Sequence, residues 1–163
     1  MSRRAEIAMS ATEVAALLDE SRTVTCATVG RDGWPHLMPL WYVVRSTQPT
    51  SSAGTSGTLW AWTYAKSQKV RNLERDPRCT LQVEVGHEYV ELRGVMLACE
   101  AVIHRDLDTV AAVGAEIAAR YGGDDLTPEL AAAMRAQAAK RVGLQFVERR
   151  RASWDHRKLG GTY

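Results

Sequence analysis

The sequence has 163 residues, of which 45% are hydrophobic and 25% charged, and its formal net charge is +2. This length predicts one domain covering residues 1–163. The small charge disfavours a nucleic-acid-binding protein, which usually carries a strong basic excess. No apolar run approaches the roughly 20 residues of a membrane-spanning helix. The start does not resemble a secretory leader and the three cysteines are far apart, so the sequence predicts a cytoplasmic protein with reduced thiols.

The first part of the chain predicts a helix followed by antiparallel strands. Residues 10–13 form a capping-box pattern that starts a short helix. A strand over 22–29 leads into a glycine-containing turn and a second strand over 36–44. The second strand is apolar on both faces and contains Pro39, which is typical of an edge strand, a bulge or a backbone opened to a ligand. One of its faces therefore needs a partner chain or a ligand.

The stretch 59–77 combines a strand with the start of a helix. Bulky aromatic residues alternate over 59–64, which predicts a strand, and Ser67 is a suitable N-cap for the helix that follows. Two of the four lysines in the chain, Lys66 and Lys69, fall here. The free N–H groups and the dipole at a helix start favour negative charge, so this stretch is the candidate anion site.

The second half predicts three strands and two helices. Strands are expected over 79–85, over 89–104 with a bend or bulge at Gly94, and over 142–147. Two capped helices are expected within 106–140. With three strands from the first half, this predicts a mainly β (α+β) fold, a six-stranded antiparallel barrel with peripheral helices.

Four segments together carry a resemblance to a known family. They are Asp-Gly-Trp-Pro-His at 32–36, the Lys-Ser-Gln-Lys-Val-Arg-Asn-Leu segment and its Asp-Pro-Arg end within 66–78, Val-Glu-Leu-Arg-Gly at 90–94, and the tail at 154–159. Their order and spacing resemble the split β-barrel flavin- and deazaflavin-binding proteins of the pyridoxamine 5′-phosphate oxidase-like superfamily. The tail is similar to that of the actinobacterial branch. The resemblance implies a homodimer with the cofactor groove at the subunit interface.

The resemblance also implies which residues bind the cofactor. In this family the cofactor phosphate is held by the strand-to-helix segment, the isoalloxazine-like ring lies against the early strand, and the C-terminal segment reaches the partner's site. Carried over to this sequence, the cofactor-binding residues are Met38, Pro39, Leu40 and Trp41 at the ring, Thr63, Lys66, Ser67, Gln68, Lys69 and Asn72 at the phosphate end, and Trp154 and Arg157 from the partner.

The predicted cofactor and function depend on how this sequence differs from the pyridoxamine oxidases of the same family. Pyridoxamine oxidases proper carry a base-rich strand that grips flavin mononucleotide (FMN), whereas the equivalent strand 59–64 has no basic residue. The Lys69-x-x-Asn72 pattern is more similar to the deazaflavin branch, which uses coenzyme F420. The prediction is therefore an F420-binding oxidoreductase that transfers hydride between the deazaflavin and a small organic substrate. No side chain is predicted to be catalytic, because the cofactor carries the reaction.

Several alternatives stay open. The chain could be an FMN-binding pyridoxamine oxidase-like protein, or a non-catalytic cofactor carrier of the same fold. A haem-handling member would need His36 or His87 as the iron ligand. The histidines show no ligand spacing, so no metal site is predicted. We expect the loop 45–57 and the helical segment 106–140 to shape the pocket, but neither identifies the substrate.

The remaining aromatic and sulfur side chains are predicted to be scaffold. Trp41, Trp60 and Trp62 are better suited to the core or a dimer interface than to stacking on a cofactor. The cysteines, Cys26, Cys79 and Cys99, lie in apolar strand contexts and are predicted to pack.

Overall fold

The computed structural model describes residues 3–46, 57–123 and 127–160. The predicted loop 45–57 therefore lies largely outside the described residues. The helices are α1 Arg3–Glu6, α2 Ala11–Glu20, α3 Gln68–Arg75, α4 Leu107–Gly122 and α5 Pro128–Ala138. The strands are β1 Val24–Val29, β2 Pro35–Leu40, β3 Val43–Arg45, β4 Thr58–Tyr64, β5 Arg78–Val85, β6 Arg93–His104 and β7 Arg141–Asp155. Short 3₁₀ helices span Tyr89–Glu91 and His156–Leu159.

The strands form one antiparallel sheet in the order β2-β1-β5-β6-β7-β4-β3. β2 and β3 lie at opposite edges, although only Trp41 and Tyr42 separate them in the chain. The sheet must therefore curl until its two edges approach each other. The result is a mainly β (α+β) fold whose curled sheet stays open at the Trp41–Tyr42 junction, which we call the seam.

Two hydrophobic clusters hold this arrangement together. The larger one fills the inner side of the curled sheet and is covered by α2 and α3; its members include Leu17, Val70, Leu81, Leu144 and Phe146. The second lies where α4 packs on β3 and β4, with Val43, Trp60, Val113 and Ile117 buried together. Trp60 and the three cysteines are buried, which confirms their predicted packing roles.

Trp62 is also scaffold, as predicted, because α4 rests against its ring. A Cβ at Gly114 of α4 would lie 2.4 Å from Cζ3 of Trp62, so only glycine lets the helix approach this closely. The close approach fixes α4 beside the seam.

The prediction of six strands is wrong, because the expected strand 36–44 is divided in two at the seam. At the seam, the Tyr121 side chain of α4 takes the place of the hydrogen bonds that a neighbouring strand would make. Its hydroxyl accepts a hydrogen bond from the Tyr42 N–H at 3.1 Å and donates to the Tyr42 carbonyl at 3.0 Å. The backbone groups of Tyr42 thus pair with a side chain instead of a strand, and the chain passes from one sheet edge to the other.

The predicted bend or bulge at Gly94 is also wrong. Gly94 lies in regular pairing opposite Trp154, and the irregularity between β6 and β7 lies at Ala98 and Cys99. The two strands are long because they pair with each other: β6 begins at Arg93 rather than Tyr89, and β7 continues eight residues beyond the predicted end at Val147.

The helix starts were predicted correctly from their capping residues. Ser10 accepts from the Glu13 N–H and Glu13 accepts from the Ser10 N–H, which completes the capping box. Asp106 and Thr127 cap α4 and α5. Within the described residues, no helix is long and apolar enough to cross a membrane.

We expect Tyr121→Phe to lower the free energy of unfolding by about 1–3 kcal/mol, because it leaves the N–H and C=O of Tyr42 without their partner at the seam. Chemical denaturation measures this loss. Tyr64→Phe, which removes a hydroxyl from an exposed ring, is the matched control and should be near neutral. Equal stability of the two variants would show that the seam does not depend on Tyr121.

Candidate functional site

The candidate site lies where β4 turns into α3. The Ser67 N–H donates to the Tyr64 carbonyl at 3.0 Å, which closes a tight turn directly before the helix. Val70 and Leu73 anchor α3 in the core. The first turn of α3 contains no acidic residue, so its positive dipole end is not neutralised locally.

Lys69 points into the protein rather than into solvent. Its residue exposure is 7%, and Nζ donates to Oγ1 of Thr63 at 3.2 Å. None of the ion pairs within the described residues gives it a carboxylate partner. Burying a cation without a counter-ion is costly. An anion at this position would offset that cost.

Asn72 is completely buried on the same face of α3 and is held by its neighbours. Its Nδ2 donates to Oγ1 of Thr28 at 3.0 Å, and its Oδ1 accepts from Nε2 of Gln68 at 2.9 Å. The structure thus brings together four of the predicted phosphate-end residues, Lys69, Thr63, Asn72 and Gln68, as two hydrogen-bonded sets. Thr28 was not predicted. The available signal was its polar side chain at a core-facing position of β1.

Two buried polar atoms beside α3 have no hydrogen-bond partner among the residues that the structure describes. Ser67 occupies the predicted N-cap position but makes no capping hydrogen bond, and its Oγ is buried and unpaired. Nδ1 of His36 is also buried and unpaired. Unsatisfied buried polar groups are rare and point to a missing partner. A cleft of about 450 Å³ adjoins this region; its lining residues are Gly30, Arg31, Asp32, Trp34, Pro35, His36, Gln68 and Asn72.

Three of the predicted ring residues, Met38, Pro39 and Leu40, lie on β2, which is an edge strand as its proline indicated. Met38 is partly exposed, whereas Leu40 is buried opposite Val24, so only its backbone faces outward. Trp41 lies at the seam, and its half-exposed indole stacks on Tyr121 with ring centroids 4.5 Å apart. The edge of β2 therefore offers unpaired backbone beside a fixed aromatic ring.

Two of the other predicted residues, Trp154 and Arg157, contact other parts of the chain. The Trp154 ring lies against Gly94 on β6. Arg157 donates to both carboxylate oxygens of Asp155, at 2.9 and 2.7 Å, and this ion pair holds the pKa of Asp155 below its usual range. Lys66 is exposed in the turn before α3.

The three buried thiols have shifted pKa values: the hydrogen bond with Cys79 lowers the pKa of Cys26, whereas the pKa values of Cys79 and Cys99 are raised. Cys26 and Cys79 share a thiol hydrogen bond, which together with burial raises the pKa of Cys79. Burial raises the pKa of the Cys99 thiol to about 12, so this group stays protonated. In the described part of the chain, no group of three or more His, Cys, Asp or Glu residues could hold a metal ion.

Burial lowers the pKa of Lys69, an effect that nearby Cys26 partly opposes. The unfolded chain keeps this proton to about pH 10.4, so between the folded and unfolded pKa values the unfolded state binds more protons. The stability of the wild type relative to Lys69→Met should therefore rise with pH across that alkaline window. Urea denaturation of both proteins over this pH range measures it; a constant difference would mean that Lys69 titrates as an exposed lysine.

Comparison with known proteins agrees with this fold. A family model described as pyridoxamine 5′-phosphate oxidase matches residues 10–154. A conserved hypothetical protein of Mycobacterium tuberculosis has 41% identity and a TM-score of 0.86, with 100% of this chain and 95% of that chain covered. No curated protein matches the sequence significantly.

Two more distant structures share the fold. A protein titled F420 reductase has 21% identity and a TM-score of 0.60, covering 84% of this chain and 94% of that one. An FAD-binding protein of Mesorhizobium loti has 19% identity and a TM-score of 0.58, covering 89% and 94%.

Proposed function

Because the chain belongs to the pyridoxamine 5′-phosphate oxidase family, whose fold binds flavin-type cofactors, we propose that it binds coenzyme F420 and acts as an oxidoreductase. F420 supplies hydride chemistry when bound: two electrons and a proton pass to a small organic acceptor, which takes a second proton from water. The protein's part is to bind, orient and exclude water.

The unpaired buried cation at α3 carries this proposal. Among the residues that the structure describes, Lys69 forms a hydrogen bond only with the Thr63 hydroxyl, and the buried Ser67 hydroxyl at the helix start has no partner. Both fit a phosphate, which accepts hydrogen bonds from an ammonium group, a hydroxyl and helix N–H groups. Asn72 keeps this face of α3 in place through Thr28.

The edge of β2 takes the ring in this proposal. Pro39 has no N–H, and β2 lies at an open edge of the sheet, where its outward-facing backbone groups can meet the polar edge of a planar ring. The side chains beside this edge are the exposed Met38 and the indole of Trp41, which is held by stacking on Tyr121. The deazaflavin is favoured over FMN by the absence of basic residues in β4.

We propose further that the active form is a homodimer. Large apolar side chains, including Val29 and Leu37, are exposed on the outer face of the sheet. Beside them, Ala27, Thr80 and Ala98 align across three strands and help to line a shallow cleft of about 510 Å³. Exposed apolar surface of this kind is typical of protein interfaces. A partner on this face would border the edge of β2, and its Trp154 and Arg157 would close the site.

Titration of the purified protein with oxidised F420, reduced F420 and FMN tests the proposal. We expect saturable binding of F420 and weaker binding of FMN. Saturable binding with oxidation of reduced F420 by nitroaromatic, quinone or enone acceptors supports an oxidoreductase. Tight binding without turnover of any acceptor would instead identify a cofactor carrier, and tighter binding of FMN would overturn the choice of cofactor.

A further inference from the structure

We propose that Trp34, in the turn between β1 and β2, anchors the interface between two copies of this chain, and that its indole inserts into a cleft on the outer face of the other copy's sheet. This inference rests on the proposed homodimer and not on the choice of coenzyme. We call residues 30–34 the anchor turn and the cleft of about 510 Å³ the outer cleft.

Trp34 is exposed but is not loosely held. In the described part of the chain it is the most exposed large apolar side chain, at 74%. The Gly30 N–H donates to the Trp34 carbonyl at 2.8 Å, and the Trp34 N–H donates to Oδ1 of Asp32 at 3.2 Å. An indole has only two side-chain torsions, so docking it from a fixed backbone costs little conformational entropy. Trp34 therefore has the properties of an interface anchor, a role in which tryptophan is enriched.

The outer cleft offers a place for such an indole. Its floor consists of Ala27, Thr80 and Ala98, which are paired in register across β1, β5 and β6 and have short side chains. The larger Val29 and Pro35 lie at one end. Pockets of about 300–1,000 Å³ hold whole drug-sized ligands, so this cleft has room for one indole.

The anchor turn and the outer cleft are neighbours on the same chain. Val29 and Pro35 flank the turn, pair with each other and also line the cleft. In a two-fold interface the same patch is used by both copies, so that each copy gives to the other what it receives from it. A patch that contains both an anchor and a cleft can therefore pair with itself, with two anchor contacts in each dimer. This favours a second copy of the chain as the occupant.

The charges beside the anchor complement those around the cleft. The anchor turn contains one cation and one anion, Arg31 and Asp32, and no ion pair within the described residues includes either of them. The rim of the outer cleft also contains both signs, from Arg78, Glu100 and Arg149. Opposite charges can therefore meet across the interface and fix the orientation of the two copies.

Sedimentation velocity of the ligand-free protein tests this inference. We expect a dimeric wild type and a dimer weakened at least about 100-fold in Trp34→Ala, because loss of one such anchor costs a factor of about 30 and each dimer has two. Ala98→Glu fills the cleft floor and should act similarly; its carboxylate would lie opposite Arg150 in the register, so the chain should still fold. Tyr64→Ala, which removes an exposed ring of β4 outside both features, is the matched control and should stay dimeric.

A mixture of the two monomeric variants gives a sharper test. The Trp34→Ala chain keeps an open cleft, and the Ala98→Glu chain keeps its indole, so one of the two anchor contacts can form between them. We expect heterodimers in the mixture at concentrations where each variant alone is monomeric. Circular dichroism of each variant shows that it is folded.

The outcomes separate this inference from the proposed function. Wild-type dimer affinity in Trp34→Ala, or a mixture of folded variants that stays monomeric, would overturn the anchor and leave the homodimer in place. A monomeric wild type would overturn both, whereas titration with F420 tests the coenzyme independently. If Trp34→Ala stays dimeric but loses affinity for F420, the inference is wrong and Trp34 serves the cleft of about 450 Å³ on its own chain, which it also lines.

Discussion

Lys69→Met is expected to weaken F420 binding by about 10- to 100-fold and, at the same time, to raise the stability of the ligand-free protein. The loss of affinity corresponds to one charge-assisted hydrogen bond to the phosphate, about 1.5–3 kcal/mol. The gain in stability follows from burial: Lys69 is 7% exposed, and within the described part of the chain its only hydrogen-bond partner is the Thr63 hydroxyl. Methionine fills a similar volume without the cost of burying a charge. A residue with a purely structural role would lose stability instead.

Isothermal titration with F420 and thermal denaturation without ligand measure the two effects of Lys69→Met. The matched control is Lys158→Met. Lys158 donates to Glu13 and to the Ala8 carbonyl near the surface, so its replacement should lower stability slightly and leave F420 affinity unchanged. If Lys69→Met retained wild-type affinity, the phosphate would have to bind elsewhere and the proposed site would be wrong.

The position of the site could be predicted because its signals are local. An alternating aromatic strand, a Ser N-cap and a terminal Asp-Pro define the end of β4 and the length of α3 without any tertiary information. Lys69, Asn72 and Leu73 also share one helix face by their spacing. What could not be predicted is that this face turns inward. Its polar members, Lys69 and Asn72, form hydrogen bonds with Thr63 and Thr28, and Thr28 lies 44 residues away in sequence from Asn72.

The division of the predicted strand 36–44 depends on an even longer separation. The apolar residues continue without interruption through Trp41 and Tyr42, so the pattern indicates one strand. The interruption comes from Tyr121, 79 residues later, whose hydroxyl takes both backbone groups of Tyr42. Sequence periodicity indicates which residues are buried, but it does not indicate their hydrogen-bond partners. It therefore cannot predict that a side chain takes the place of the hydrogen bonds between two strands.

Gly94→Ala is expected to lower the stability of the protein, because the new methyl group has no space. It would lie 2.4 Å from Cζ2 of Trp154 and 2.8 Å from the Val83 carbonyl oxygen. The indole can be displaced, but the carbonyl belongs to β5, so relief there would distort the pairing of β5 with β6. Overpacking of this kind costs about 1–3 kcal/mol, which corresponds to roughly 2–12 °C in Tm for a chain of this size.

Gly143→Ala is the matched control for Gly94→Ala, since it adds the same methyl group to another buried strand position. Its Cβ would meet the His104 Cβ at 3.6 Å and Val113 Cγ2 at 3.9 Å, which are ordinary contacts, so its Tm should stay close to that of the wild type.

The two variants should also differ in their affinity for F420. Displacing Trp154 should weaken F420 binding in Gly94→Ala if this ring closes the partner's groove, whereas Gly143→Ala should bind normally. If the Gly94→Ala protein folds, is destabilised and still binds F420 with wild-type affinity, Trp154 is not part of the site. Its role is then only to pack between β6 and β7.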